Sequence, residues 1–412
     1  MKISNIRRIA SSLLATLLFF VWTAVPAMAA SKKDYPINEN YYRNNPYRGT
    51  TLNVYNWGEY ISDGSEGSLD VNKEFERLTG IKVNYTNFDS NEDMYAKLKS
   101  GGASYDVIIP SDYMIQRLIQ EGMLNKINMS NVPNFRYIAP EYKGMYYDPK
   151  NEYTVTYNVG YVALIYNKKL VKERPDSWSA LWDPQYKGII LMFNNPRDAF
   201  AIAQSLLGQD YNTTDQKDWN AAYQKLVEQK PLVRSYAMDE VFNIMESGAA
   251  ALAPYYVGDY FIMKENNPDL GVVFPKEGAN IFADAMCIPK TAQNQGAAEL
   301  YINFMEEPQV ALANAEEICY ATPNMAVRNM EEYTFQGNRI LYPGEKVLAK
   351  DQYFHNLPGN IQTLMSTYWS DLKIDGNSNL SIYVGLGCFA ALFLAMGIHH
   401  VVKKKSREKY YD

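Results

Sequence analysis

Reactive and metal-ligating side chains are scarce. Among 412 residues there are three Cys (Cys287, Cys319, Cys388) and three His (His355, His399, His400). A zinc centre built from His and Cys has too few ligands to draw on. A Ser-His-Asp hydrolase would have to rely on His355, and no G-x-S-x-G accompanies it. Also missing are G-x-x-x-x-G-K-[ST], G-x-G-x-x-G and H-E-x-x-H. An enzyme working with carboxylates alone needs no such motif and stays open. Basic charge is short as well. Without the three basic residues of the first 30, and the five basic and two acidic residues of the last 32, residues 31–380 hold 32 basic against 44 acidic side chains, a formal charge of −12. That balance speaks against a nucleic-acid partner, which requires a basic footprint. Otherwise the composition, 47% hydrophobic and 21% charged, is that of a folded globular chain. Its length suits two or three domains.

Long apolar runs occur only near the two ends. Lys2, Arg7 and Arg8 precede an apolar stretch over 9–25 and the A-x-A of Ala27, Met28 and Ala29. This reads as a signal peptide, residues 1–29, with cleavage before Ala30. No Cys follows to carry a lipid; an uncleaved N-terminal anchor is the alternative. Residues 30–49 read as a loose leader. Residues 381–400 read as a transmembrane helix, since 382–398 are almost wholly apolar and a bilayer needs about 20 helical residues. A buried core helix is the alternative. Lys403, Lys404, Lys405, Arg407 and Lys409 follow, so residues 401–412 become a basic cytoplasmic tail. Residues 375–380 form a tether. The expected location is the extracytoplasmic face of the plasma membrane, where Cys287 and Cys319 either pair or stand as two free thiols.

Between these ends strand and helix patterns alternate: strands at 51–56, 81–88 and 105–110, helices at 69–79, 90–101 and 111–122. Strand patterns return near 155–166, 188–193, 249–256, 271–274 and 282–288, with helical ones around 178–182, 199–207, 219–228, 240–246 and 297–306. The alternation predicts an α/β fold with a parallel, doubly wound sheet. In such sheets ligands lie beyond the carboxyl ends of the strands. Trp57, Glu59, Tyr60, Ser111 and Tyr113 fall just after strands. Ser90 and Asp93 have the spacing of a capping box. Asp284 stands out because an acid within an apolar strand needs a cation.

Several segments form a recognisable set: Trp57-Gly58-Glu59-Tyr60, the run 90–98 (SNEDMYAKL), Pro110-Ser111-Asp112-Tyr113, and Tyr320-Ala321-Thr322-Pro323-Asn324. The run 274–278 (FPKEG) accompanies them, as do Trp178-Ser179-Ala180-Leu181-Trp182 and Tyr186-Lys187-Gly188, which are less specific. Together they resemble the spermidine/putrescine-binding proteins of polyamine ABC transporters, in order, from residue 51 to 372. The resemblance implies a two-lobed clamshell of the periplasmic binding protein type II, closing on its ligand by a hinge. Lobe 1 would take residues 50–156 and lobe 2 residues 157–283, with 284–374 completing both. It implies a monomer that captures a polyamine and hands it to ABC permease subunits, with no cofactor, metal or bond chemistry. The family's binding positions fall on Trp57, Glu59, Tyr60, Ser111 and Tyr113 in lobe 1, on Asn195, Asp198 and Tyr256 in lobe 2, and on Phe282, Asp284, Tyr320 and His355. The C-terminal span lies outside the family pattern.

The residue types suit the task. Buried ammonium groups need acceptors, which Glu59, Asp198 and Asp284 can supply, and aromatic rings can sandwich methylenes and face cations. Some positions depart from the family: Asn195 stands where better-known members carry an acid, Tyr256 and Phe282 where they carry Trp, and His355 where they carry Gln. One acid fewer would favour putrescine over spermidine. Three other readings compete: the same clamshell taking ferric iron through Tyr255 and Tyr256 or another cationic metabolite, a cell-surface enzyme, and a ligand-sensing ectodomain.

Overall fold

The computed structural model describes residues 35–374. The expected signal peptide, the first residues of the leader, the tether, the span and the basic tail lie outside them. Among the described residues no helix is long and apolar enough to cross a membrane.

Ten strands follow in chain order: β1 Thr51–Trp57, β2 Lys82–Phe88, β3 Val107–Ile108, β4 Leu124–Asn125, β5 Thr154–Asn167, β6 Ile190–Phe193, β7 Val233–Ala237, β8 Leu252–Tyr256, β9 Leu270–Val273 and β10 Ile281–Pro289. Their order is β2-β1-β3-β10-β5-β8-β6-β7, with β4 on β10 and β9 on β5. The expected parallel sheet is found in two separate pieces. β1 runs parallel to β2 and β3, and β6 runs parallel to β7 and β8. Between them β5 and β10 pair antiparallel. β5 is buried over all 14 residues, a length of roughly 45 Å. Its first part pairs with β10, and its last residues pair with β8 and β9. One strand therefore serves both halves, which a strictly parallel reading does not provide.

Each half has its own core. One gathers Tyr55, Phe88, Met94, Leu98, Ile108, Met114, Ile115 and Leu118 under β1–β3. The other gathers Leu164, Trp178, Phe193, Phe200, Trp219, Met245 and Met263 around β6–β8. The helices obey their local signals. Asp70 caps Val71–Thr79, and Gly80 ends it at φ 69°. Ser90 accepts from Asp93 N as an N-cap, while the Asp93 carboxylate accepts from the Ser90 hydroxyl, so the expected box forms in its first half. Among the described residues three helices of ten residues or more go beyond the expected set: Val257–Asn266, Pro308–Ile318 and Gly359–Lys373.

The expectation of a loose leader does not hold from Ile37 onward. Glu39–Arg43 is a short helix, and Tyr42 within it is fully buried. Its ring meets Phe304 edge-on at 5.2 Å. Its hydroxyl donates to Glu307 (2.8 Å) and accepts from Asn303 (2.8 Å). A large ring with two buried polar partners ties down a segment whose composition reads as linker. Cys287 and Cys319 are both buried and free.

Candidate functional site

At the junction of the halves three tyrosine–carboxylate pairs stand together, Tyr60, Asp284, Asp198 and Tyr320 buried, Tyr256 and Asp259 half-buried. Tyr60 donates to Asp284 (2.7 Å), Tyr256 to Asp198 (3.0 Å) and Tyr320 to Asp259 (3.1 Å). Rings link the pairs. Tyr60 meets Tyr320 at 5.6 Å, Tyr320 meets Phe282 at 6.1 Å, and Phe282 meets Tyr256 at 5.5 Å. Two glycines make room for this chain of rings. A Cβ on Gly160 would lie 2.1 Å from the Phe282 ring, and one on Gly258 would lie 2.3 Å from Tyr320. Both rings rest directly on backbone.

Burial governs the acids, offset in part at Asp198 by the charge of Arg197. It pushes Asp198 and Asp259 up to about 7 and Asp284 up to about 6. The tyrosine hydrogen bond pulls the other way in all three, and Ser111 adds to it at Asp284. One oxygen of Asp284 has no hydrogen-bond partner. These are groups held ready for a positive charge.

The remaining expected residues surround this cluster or do other work. Ser111 precedes the helix Asp112–Gln120 in the capping position, yet its side chain makes no cap hydrogen bond; its backbone bridges that of Asp284. Glu59 is exposed and adopts φ 49°, the left-handed region. It lies near enough to Asp259 to raise that carboxyl further. Trp57 packs on Phe88 at 4.5 Å, and its indole N–H has no partner. Tyr113 donates to Glu92 (3.0 Å) and accepts from Asn91 (3.2 Å). Asn91 also accepts from Ser111 N, which ties the 90–98 motif to the 110–113 motif. Glu92 in turn is felt by Asp198. Asp198 does not cap its helix, Pro196–Leu207, but faces Tyr256 from the third position.

Two expected residues have other partners. Asn195 is the helix N-cap, its Oδ1 accepting from Arg197 N at 3.0 Å. His355 stacks on Tyr146 at 4.3 Å, and burial holds its imidazole below the usual range.

Sequence reasoning missed Asp259 and Glu92. Asp259 offered a signal, because it opens a helix just after β8, as Asp198 does after β6. With it the cluster holds three acids, two buried and one half-buried. Tyr255 and Tyr256 diverge: Tyr255 stacks on Phe193 in the core, and only Tyr256 reaches an acid of the cluster. Among the described residues no group of His, Cys, Asp and Glu has the arrangement of a metal site.

Comparison with known proteins agrees with this architecture. Residues 103–344 match the model of a family described as bacterial extracellular solute-binding protein. The spermidine/putrescine-binding periplasmic protein of Salmonella typhimurium is 35% identical over 325 residues, 78% of this chain and 91% of that protein. Among solved structures, a putative spermidine/putrescine ABC transporter from Listeria monocytogenes aligns at TM-score 0.74 and 34% identity over 79% of this chain and 99% of that one. The spermidine/putrescine ABC transporter substrate-binding protein PotD of Streptococcus pneumoniae aligns at TM-score 0.69 and 32% identity, covering 79% and 98%. On the family match and the Salmonella relative together, the chain belongs to the bacterial extracellular solute-binding proteins.

Proposed function

We propose that this solute-binding protein captures a polyamine between its two halves and delivers it to ABC permease subunits. The observation that carries the reading is the trio of Asp–Tyr pairs joined by a chain of rings. A polyamine has ammonium groups at fixed intervals along a methylene chain. Asp198, Asp259 and Asp284 would take the ammonium groups, while Tyr60, Tyr320, Phe282 and Tyr256 would cover the methylenes and face the cations. Glu59 and Glu92 would hold the rim, with Trp57, Ser111 and Tyr113 lining the first half. The printed names of the Salmonella relative and of both structural neighbours, each over 30% identical, support that ligand class. The protein works outside the cytoplasm as a binder, not an enzyme. We further propose that β5 and β10 form the hinge between the lobes, and that residues 381–400 anchor the chain beside the permease, raising its local concentration there.

The test is calorimetric titration of the purified full-length chain in detergent, after unfolding and refolding to strip carried-over ligand. One-to-one binding of putrescine or spermidine at micromolar Kd or tighter, roughly 8 kcal/mol, is expected. A folded chain that binds none of putrescine, spermidine or spermine would refute the reading. For the anchor, the protein should stay with membranes through alkaline carbonate and leave them when residues 381–412 are deleted.

A further inference from the structure

β5 is buried along its whole length, and a buried amide in such a strand calls for a partner. Asn158 is 2% exposed, and its Nδ2 is sealed from solvent without a hydrogen bond. It stands directly opposite Asp284 of β10. Cross-strand partners present their side chains on one face, with Cβ atoms about 4.5–5.5 Å apart. The Asn158 amide also stands near enough to the Tyr60 hydroxyl to ease an ionisation that burial and Asp284 oppose. The strand is bulged here. Asp284 pairs with Asn158, but Ala285 pairs with Thr156, so Tyr157 is the extra residue. Tyr157 donates to the Tyr60 carbonyl (3.0 Å) and meets the Tyr60 ring edge-on at 5.7 Å. The bulge thus sets Tyr157 against Tyr60 and Asn158 against Asp284.

Asp284 Oδ1 has no partner either, so an unused donor and an unused acceptor share one face of the strand pair. The neighbouring groups are committed. Tyr60 donates to Asp284 Oδ2 (2.7 Å). Asp112 accepts through one oxygen from Tyr113 N (2.7 Å) and through the other from Ala283 N (3.4 Å). An ammonium has three N–H donors and no acceptor, and Asp284 Oδ1 can meet one of them. We propose that Asn158 meets a second: when a polyamine enters, its amide turns about Cβ–Cγ and brings Oδ1 to the ammonium that Asp284 holds. The inference rests on the polyamine reading. Nδ2 has no hydrogen bond to break in that turn, and this terminal torsion is soft in asparagine. In the empty site the N–H end lies toward the carboxylate; in the filled site the C=O end serves the cation. An acid at 158 would suit only the filled state, and an apolar side chain would suit neither.

The test is titration of the full-length chain with putrescine at pH 8, with thermal unfolding recorded alongside. Asn158→Leu should weaken binding by about tenfold or more, as loss of a hydrogen bond to a charged group does. Asn158→Thr keeps a group that both donates and accepts and should lose less, about threefold. In an Asp284→Asn background the Leu substitution should cost no more than about twofold, because the ammonium that Asn158 serves is no longer held there. A crystal structure of the wild-type putrescine complex keeps the question answerable should a variant not fold or not bind; it should show the Asn158 amide within hydrogen-bond distance of a ligand nitrogen. Binding by Asn158→Leu within twofold of wild type, an equal loss with and without Asp284, or a complex in which Asn158 stands away from every ligand nitrogen would overturn the inference. Failure of the wild type to bind any polyamine would instead remove the functional reading and this inference with it.

Discussion

Polyamine binding should expel protons, and the number follows from the buried acids. Asp198 and Asp259 titrate near 7 in the empty site because burial disfavours their charge. At pH 7 each is about half protonated, so fixing both as carboxylates beside ammonium groups releases about one proton. At pH 6 the figure rises to about 1.8, and at pH 8 it falls to about 0.2. Asp284, near 6, adds up to about half a proton at pH 6. Putrescine's amines titrate close to lysine, near 10.4, and contribute nothing in this range. Titrations at pH 6, 7 and 8 in two buffers of different ionisation enthalpy read the number directly. The observed heat changes with buffer enthalpy, and the slope is the proton count. The linked affinity should weaken about 100-fold from pH 8 to pH 6 through Asp198 and Asp259, and about 200-fold with Asp284 included. Asp198→Asn and Asp259→Asn should each remove about 0.9 proton from the pH 6 slope. A slope of zero at pH 6 with binding intact would show that the acids stay ionised in the empty site, and the electrostatic account of the cleft would fail.

The same shifts fix how ligand-free stability depends on pH. The folded state binds protons more tightly than the unfolded chain, since Asp198 and Asp259 rise from 3.8 to about 7 and Glu306, buried against Asn324, rises from 4.5 to about 8. These groups therefore cost nothing only well below pH 3.8, and destabilise progressively as pH climbs from about 4 to 8, by roughly 4 kcal/mol for Asp198, most of it already present by pH 7. Thermal unfolding of the stripped protein should give a higher Tm at pH 5 than at pH 8, with polyamine narrowing the gap; the reverse order would contradict the burial of these groups. Gly258→Ala should push Tyr320 off its seat, overpacking the site by roughly 1–3 kcal/mol and weakening ligand binding at least fivefold by titration. Tyr42→Phe should leave Glu307 and Asn303 without their shared hydroxyl and lower urea stability by roughly 1–3 kcal/mol; an unchanged midpoint would mean that the segment around Tyr42 is not docked.

What the sequence made legible was what local chemistry decides. Capping residues, helix-ending glycines and apolar runs marked most elements, because each is settled within a few residues. The long-range arrangement was less visible. Nothing in the composition of 154–167 says that one strand will join two half-sheets, since a continuous apolar run reads alike in a parallel or an antiparallel setting. Tyr42 was hidden for the same reason: its partners Asn303, Phe304 and Glu307 stand more than 260 positions away. The site was half readable. Tyr60, Asp198, Tyr256, Phe282, Asp284 and Tyr320 do converge in one cluster. Asn195 and His355 did not join it, because a helix start needed a cap and a tyrosine face took the imidazole. Asp259 was passed over although it shared the sign that marked Asp198, an acid opening a helix behind a strand.

A cleft that binds polycations has a problem when empty, since its carboxylates are taken out of solvent with no ammonium to balance them. Here each is met by a phenol. Tyr60, Tyr256 and Tyr320 satisfy one carboxylate oxygen apiece without bringing charge, and the protons retained near pH 7 remove part of the desolvation cost. Capture of a polyamine then becomes an exchange of protons for ammonium groups rather than the burial of new charge. This lowers the cost of desolvating the ligand's cations. It also explains why rings and acids alternate along the cluster: a tyrosine that donates to a carboxylate in the empty site presents the same face to a methylene in the filled one. Phe282 has no hydroxyl to give, and it is the one ring of the four that no acid uses. On this argument Tyr256→Phe and Tyr320→Phe should raise the proton count at pH 8, because an acid deprived of its phenol holds its proton to higher pH. If either variant released no more protons than the wild type there, the phenols would be packing alone.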